Sequence, residues 1–143
     1  MLFTVADLRN GNLPGRVIEL RIEADGKPTL ITRFEFTAAT GEAATIHTVM
    51  KDEAGKVVQD QTDNVPWAEL HTHGQFPAAA TTIEDNVQVT VAAGTFKTRL
   101  YTVKADDATR RFWFATDLPG PPVQFTTEQA GKVVMRGEML RAR

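Results

Sequence analysis

Residues 18–36 of the chain, IELRIEADGKPTLITRFEF, contain the pattern that decides the fold. Apolar side chains, with one threonine among them, occupy every second position over 18–22 and again over 30–36. A period of two places these side chains on one face of an extended strand. Between the two runs lies Asp-Gly-Lys-Pro at 25–28, where the glycine allows the backbone of a tight turn. The stretch therefore predicts an antiparallel hairpin with one buried face.

The same alternation recurs along most of the remaining sequence. Further strands are predicted over residues 44–51, 56–60, 87–91, 96–103, 110–116, 123–127 and 132–140. Residues 61–80 contain two prolines and lack clean alternation, so they predict a long loop or a short helix around 67–70. Elsewhere no helical apolar pattern exceeds one or two turns.

About nine strands joined by short turns are typical of an all-β, mainly antiparallel protein. We expect a single β domain over residues 1–143. We expect its sheet to be a strongly curved meander that forms a half-barrel or a barrel, with a short helix or loop covering one face. The strand count alone also leaves a sandwich open.

Composition excludes several classes of function. The net charge of −2 argues against nucleic-acid binding, which requires a large positive excess. The sequence has no cysteine and no serine, so disulfides and the usual nucleophiles are excluded. No apolar run approaches the ~20 residues of a membrane span. The first residues lack the pattern of a signal peptide, which predicts a cytoplasmic chain, or a periplasmic one if such a peptide has been removed.

Three histidines are the candidates for a metal site. His71 and His73 are two positions apart, which would place both rings on one face of a strand. His47 could supply a third imidazole, and three imidazoles are enough to bind zinc. The alternative is that all three are loop and surface histidines. We expect no cofactor and keep a histidine-dependent metal enzyme as the third hypothesis.

Aromatic side chains are the stronger functional signal. Phe112, Trp113 and Phe114 are consecutive on one predicted strand, so at least one large ring lies on each face. Both faces must then be covered, or one ring is exposed. The cover is either the segment around Trp67 and Leu70, or a ligand or partner. We take these five residues as the candidate ligand-binding set.

The C-terminal half resembles a known pattern. Residues 87–96, VQVTVAAGTF, are similar to a V-x-V-P-A-G-T-F hairpin, with alanine at 92 where proline is usual. An alternating strand, an aromatic strand, a Pro-Gly bend and a last hairpin follow, so that the resemblance covers residues 83–141. This order is similar to that of uncharacterised bacterial β-proteins, whose fold is similar to the half-barrels of periplasmic lipoprotein carriers. The resemblance implies a curved sheet around an apolar concave face and no catalytic residues.

The leading hypothesis is a non-enzymatic binding protein. Its concave sheet would present an apolar surface to a lipid-like ligand or other hydrophobic small molecule, or to a protein segment. The alternative is a structural or assembly module that acts as a homo-oligomer or within a complex.

Overall fold

The computed structural model describes residues 2–143, which form nine strands and two short α-helices. The helices are α1 (Val5–Gly11) and α2 (Trp67–Thr72). The strands are β1 (Val17–Ala24), β2 (Leu30–Ala39), β3 (Ala43–Asp52), β4 (Val57–Pro66), β5 (Thr81–Val91), β6 (Gly94–Ala105), β7 (Ala108–Ala115), β8 (Gln124–Gln129) and β9 (Lys132–Ala142). The prediction of an all-β, antiparallel fold is confirmed.

All nine strands belong to one antiparallel sheet in the order β4-β3-β2-β1-β9-β8-β7-β6-β5. The last strand, β9, lies at its centre, between β8 and the first strand, β1, which pairs on its other side with its hairpin partner β2. Strands β4 and β5 are the two edges of the sheet, so the sheet is open. It is strongly curved, as in a half-barrel. The predicted hairpin has Ile18 opposite Phe34 and Ile22 opposite Leu30.

The register assigns each side chain to one face of the sheet. We call the face that α1 and α2 cover the concave face. It carries Ile18, Phe36 and Ile46 from one half of the sheet and Tyr101 and Phe114 from the other, all of them buried. Alternate residues are therefore buried on this face in strands from both halves of the sheet.

Strand β4 is longer than predicted. The sequence analysis ended this strand at residue 60 and expected a long loop or a short helix from residue 61, which was wrong for residues 61–66. The strand continues to Pro66 and pairs with β3 along its length. Nearly all of its residues are exposed because it is an edge strand, and only Val65 is half-buried. With so little burial there is little selection for alternation, so the pattern that marks the other strands is missing. The expected short helix then follows immediately as α2.

Helix α1 is an element that the sequence analysis did not predict. Thr4 begins it with a capping box: the Asp7 backbone N–H donates to Thr4 Oγ1 at 3.0 Å, and the Thr4 N–H donates to the Asp7 carboxylate at 2.9 Å. The helix buries Leu8 and leads directly to Asn12, which is also buried. No helix formed by residues 2–143 has the length and apolar character needed to cross a bilayer.

The hairpin at residues 87–96 is formed by β5 and β6, and its tip is fastened to β9. The Ala92 N–H donates to the Glu138 carboxylate at 2.8 Å, and the Ala93 N–H donates to the Met139 carbonyl at 3.1 Å. Proline, which is usual at position 92 in the pattern that this hairpin resembles, has no N–H and could not make the first bond. The tip is therefore held to the sheet by a backbone bond that any residue except proline could make at this position.

Candidate functional site: a cavity between the helices and the sheet

An open cavity of about 400 Å³ lies between the two helices and the concave face. Ile18, Phe36 and Ile46 of the sheet form one side of it. Leu8 of α1 and Leu70 of α2 are among the residues that close it from above. Its volume is within the range of roughly 300–1,000 Å³ that is typical of ligand pockets, which are mostly apolar with a few polar groups.

Trp67, the first residue of α2, fixes this helix to the sheet. Its side chain is 1% exposed and its ring is stacked on that of Phe36, with centroids 6.2 Å apart. The indole Nε1–H donates to the Thr40 carbonyl at 3.0 Å, and the backbone N–H donates to the Glu42 carbonyl at 2.9 Å. The indole is thus both a wall of the cavity and the anchor of the helix that covers it.

His71 joins the two helical segments above the cavity. Its Nε2 lies 3.0 Å from the Phe3 carbonyl oxygen, which can only accept, so we assign the ring proton to Nε2. Its Nδ1 lies 3.4 Å from the side-chain nitrogen of Gln75, which can donate to it. The Nε2 contact holds α2 to the segment that precedes α1, and the Nδ1 contact joins α2 to the loop that follows it.

Asn12 holds the C-terminal end of α1 to the bend between β7 and β8. Its Nδ2 donates to the Leu8 carbonyl at 2.8 Å and to the Pro119 carbonyl at 3.0 Å, which fixes the orientation of the amide. The residue is 2% exposed, yet no described residue donates a hydrogen bond to its Oδ1. Gly120 lies beside this oxygen, since a Cβ at position 120 would be 3.6 Å from it. Asn12 thus has an acceptor without a partner that is enclosed by protein and not exposed to the cavity.

A cluster of aromatic rings continues the cavity toward β7. Phe76, in the loop after α2, lies against three rings of the concave face: its centroid is 4.9 Å from that of Phe112, 5.1 Å from Tyr101 and 6.4 Å from Phe114. Tyr101 and Phe114 also meet edge to face at 5.7 Å. The loop therefore closes this end of the concave face with an aromatic side chain.

Arg99 is a cation on the concave face, two residues before Tyr101, but it does not line the cavity. Its Nε donates to the Asp85 carboxylate at 2.6 Å. The Asp85 carboxylate, and after it the neighbouring Tyr101 hydroxyl, raise the pKa of Arg99 above its ordinary value. The Tyr101 hydroxyl makes no hydrogen bond of good geometry within residues 2–143. The charge of Arg99 is thus directed to Asp85 rather than into the cavity.

The cavity opens beside β4 and α2. Three of its lining residues are exposed to solvent: Asp63 on β4, Glu69 on α2, and His73 just after α2. Asp63 accepts a hydrogen bond of 2.7 Å from the Gln61 side chain. Among the described residues that line the cavity there is no lysine and no arginine. The mouth therefore has two carboxylates and no fixed positive charge.

The structure brings together three of the five predicted ligand-binding residues. Trp67, Leu70 and Phe114 line the cavity. Phe112 is on the concave face but lies under Phe76 rather than in the cavity wall. Trp113 pairs across the sheet with Leu100 and Gln124, so its side chain lies on the opposite face.

The three histidines do not form one site. His47 lies on β3, on the face opposite to the cavity, with its Nε2 2.7 Å from the Asp60 carboxylate. His71 and His73 lie in and just after a helix instead of on a strand, and on a helix a spacing of two separates side chains around the axis. Within residues 2–143 no group of three His, Cys, Asp or Glu side chains is placed to hold a metal ion.

Several lining residues were not predicted from the sequence. Phe3, Leu8 and Asn12 come from the segment around α1, and Tyr101 comes from β6. The signal for α1 was present as Thr4 followed by Asp7 at the capping-box spacing, directly before Leu8. We find no comparable signal that could have identified Tyr101 as a lining residue rather than a core residue.

No protein-family model and no curated protein sequence matches the chain. Solved structures do match its fold. One is the crystal structure of MucB in complex with MucA(peri), with a TM-score of 0.62, 13% identity, and coverage of 93% of this chain and 51% of the matched chain. Another is the Pseudomonas aeruginosa MucA/MucB complex, with a TM-score of 0.62, 10% identity, and coverage of 93% and 52%. The chain therefore spans about half the length of the solved chains it matches and shares their β-sheet fold.

Proposed function

We propose that this protein is a non-enzymatic binding protein that takes an apolar group of its ligand into the cavity between α1, α2 and the concave face. The open cavity of about 400 Å³ is the observation that supports this proposal. A cavity of this volume bounded by Trp67, Leu70 and Phe36 offers an apolar group a place out of water, and burial of apolar area is the main favourable term in association.

Two features support a role without catalysis. The sequence has neither cysteine nor serine to act as a nucleophile. The histidine at the cavity, His71, has both ring nitrogens within hydrogen-bonding distance of Phe3 and Gln75, which leaves it poorly placed to transfer a proton.

The sequence left two kinds of apolar ligand open, a lipid-like molecule and a protein segment. The two solved structures described above are complexes of MucB with another protein, MucA. Fold likeness does not transfer a partner. It does favour including protein segments among the first ligands to be tested on this chain.

The proposal predicts saturable binding of a small neutral apolar probe. N-phenyl-1-naphthylamine, which fluoresces strongly only out of water, is expected to bind the wild-type protein. Val65→Trp places a large side chain in the cavity, since Val65 lines it from β4, and is expected to weaken binding by about tenfold or more, because a filled site cannot also accept the probe. Fluorescence titration of both proteins measures this difference.

Asn64→Trp is the matched control. Asn64 is the neighbouring residue on β4, is exposed, and has its side chain on the face opposite to the cavity. It adds the same ring to the same strand without entering the cavity, so probe affinity should equal that of the wild type. Absence of saturable probe binding to the wild type, or equal binding to the two tryptophan variants, would rule out the cavity as the site.

Self-assembly is the second candidate function, and β4 favours it. This strand is an edge of the sheet and is ten residues long, so it leaves backbone groups available for pairing with another strand. A homo-oligomer formed at this edge is expected to appear in sedimentation measurements across the micromolar range. A strict monomer at every concentration would exclude this candidate and leave ligand binding.

A further inference from the structure

We propose that the ligand of the cavity is an extended protein segment that pairs as an additional antiparallel strand with the free edge of β4 and directs an apolar side chain into the cavity. This inference rests on the proposed binding function and deepens it, because it specifies the class of ligand and how the ligand binds. Two observations carry it: the backbone groups that β4 leaves without a neighbouring strand, and the position of this edge at the opening of the cavity.

The backbone of β4 presents a row of outward-pointing groups. In an antiparallel pair, residues that exchange hydrogen bonds with the neighbouring strand alternate with residues whose N–H and C=O point away from it. At the end of β4 the Trp67 N–H donates to the Glu42 carbonyl at 2.9 Å, and the register with β3 is regular from Gln59 to Pro66. Counting back in steps of two from this bond assigns outward backbone groups to the residues between: Asp60, Thr62 and Asn64.

This row is open to solvent and its spacing suits another strand. All residues from 57 to 64 are exposed. The polar side chains on the concave side bond along the strand, with Gln59 donating to Gln61 and Gln61 donating to Asp63, each at 2.7 Å. The outward groups provide three donors and three acceptors that repeat every ~6.8 Å, which is the repeat of an extended backbone. Pairing of this kind is a common way for a sheet to bind a protein segment.

The other edge of the sheet, β5, is less suited to pairing. Its register with β6 shifts between Glu84 and Val87, and Asn86 between them has a φ of 60°. Such a bulge bends a strand and protects an edge from further pairing. In β4 the register shift is confined to the start of the strand, before Gln59. Among the described residues that line the cavity, none belongs to β5.

The free edge of β4 is also one side of the cavity opening. Asp63 and Val65 line the cavity from this strand. Residues directly opposite each other in an antiparallel pair have their side chains on the same face. A strand added about 4.8 Å beyond β4 would therefore direct its residues opposite Asp63 and Val65 toward the cavity. Its residues opposite Thr62 and Asn64 would make the backbone bonds and direct their side chains to the other face.

The cavity selects an apolar side chain from such a strand. Next to Val65 it is bounded by Trp67 and Leu70 of α2, so that an apolar group is removed from water there. A second copy of β4 does not supply such a group. If two β4 strands paired symmetrically about Thr62, Gln59 of the copy would lie opposite Val65 and Gln61 opposite Asp63. The occupant is therefore a different segment, with apolar residues at alternate positions.

Displacement of N-phenyl-1-naphthylamine by a peptide with this pattern tests the inference. Acetyl-Lys-Thr-Val-Thr-Phe-Thr-Val-Thr-Lys-amide is expected to bind with its valines and phenylalanine toward the cavity and to displace the probe. Replacing the phenylalanine by asparagine is expected to weaken displacement by about tenfold or more, because no large apolar side chain then enters the cavity. The terminal lysines keep the peptides soluble and are the same in all of them.

N-methylation of the peptide separates backbone pairing from side-chain burial. In the antiparallel arrangement the threonine N–H groups point to β4, whereas those of valine and phenylalanine point to solvent. Methylating the two threonines that flank the phenylalanine is expected to weaken displacement by about tenfold or more, since two donors are lost and two methyl groups face the edge. Methylating the two valines is the matched control and should change affinity by less than about twofold.

A variant of the edge tests the same pairing from the protein. Thr62→Pro removes the outward N–H of an exposed edge residue, a position where proline is tolerated because β3 does not use this donor. Thr62→Ala keeps the N–H and is the control. Both variants are expected to bind the probe as the wild type does, because the Thr62 side chain lies on the face opposite to the cavity. Only the proline variant is expected to bind the peptide more weakly, by about tenfold.

The outcomes separate this inference from the proposed function. Equal losses from the two methylation patterns, or a larger loss from methylated valines, would overturn the inference. So would equal peptide binding by the proline and alanine variants, or displacement of the probe by dodecanoate but not by the peptide. A proline variant that no longer binds the probe has lost its fold, and the methylated peptides then decide. If the probe does not bind the wild type saturably, the proposed function itself fails.

Discussion

Replacing Trp67 with alanine is expected to lower the free energy of unfolding by about 3–5 kcal/mol, the usual cost of removing a fully buried large aromatic side chain. Trp67 is 1% exposed and is stacked on Phe36. The substitution also leaves the Thr40 carbonyl without its indole donor and removes the side-chain packing that holds α2 to the sheet. Urea unfolding followed by circular dichroism measures the change, since this signal does not depend on the tryptophan that is removed.

Two further variants show which part of the indole matters. Trp67→Phe keeps most of the ring but cannot donate to Thr40, so its loss should be smaller than that of the alanine variant. Trp113→Ala removes the same side chain from a half-buried position on the opposite face and should also cost less. Equal losses for Trp67→Ala and Trp113→Ala would show that Trp67 is not the anchor of the helical cover.

The sheet could be predicted from the sequence because a strand with one buried face has apolar residues at every second position. The hairpin of residues 18–36 forms as predicted because Ile18, Ile22 and Phe34 all need the same side of the sheet. Strand β4 shows where this reasoning stops. In its second half only Val65 is half-buried, so sequence alternation carries little information there, although backbone pairing with β3 continues.

The site was harder to predict than the sheet. Trp67 and Phe114 could be proposed as functional because large aromatic residues in a loop or on both faces of a strand need a cover. Asn12 could not, because its burial depends on contacts with Pro119, more than a hundred residues away. Single-sequence patterns report local periodicity, whereas this cavity exists only after the segment around α1 has packed on distant strands.

Helix α1 was harder to predict than the sheet but easier than the site. Its seven residues are too few for an amphipathic pattern to stand out, and such a short helix depends on tertiary contacts for its stability. The capping residues Thr4 and Asp7 were the local signal, and Leu8 and Asn12 are the residues that its packing buries. The capping-box spacing of Thr4 and Asp7 predicts the start of a helix even where no periodic pattern is visible.

Replacing Gly137 with alanine is expected to lower the free energy of unfolding by about 1–3 kcal/mol, the usual cost of overpacking a buried site. Gly137 lies on β9 directly opposite Phe125 of β8, which in turn lies opposite Phe112. A Cβ at position 137 would overlap the Cζ and Cε1 atoms of the Phe125 ring. The ring lies over this glycine, and an alanine would force it away from the surface that it covers. Urea unfolding gives the size of the loss.

Two comparisons make this prediction specific. Gly41→Ala is the control, because Gly41 is exposed, has no atom within 4 Å of the new Cβ and does not adopt a positive φ, so stability should change little. In a Phe125→Ala background the ring is absent, and Gly137→Ala should then lose most of its cost. Strong non-additivity of this kind is expected for residues in direct contact. Additive losses would mean that the cost arises in the backbone of β9, and the steric account of Gly137 would be wrong.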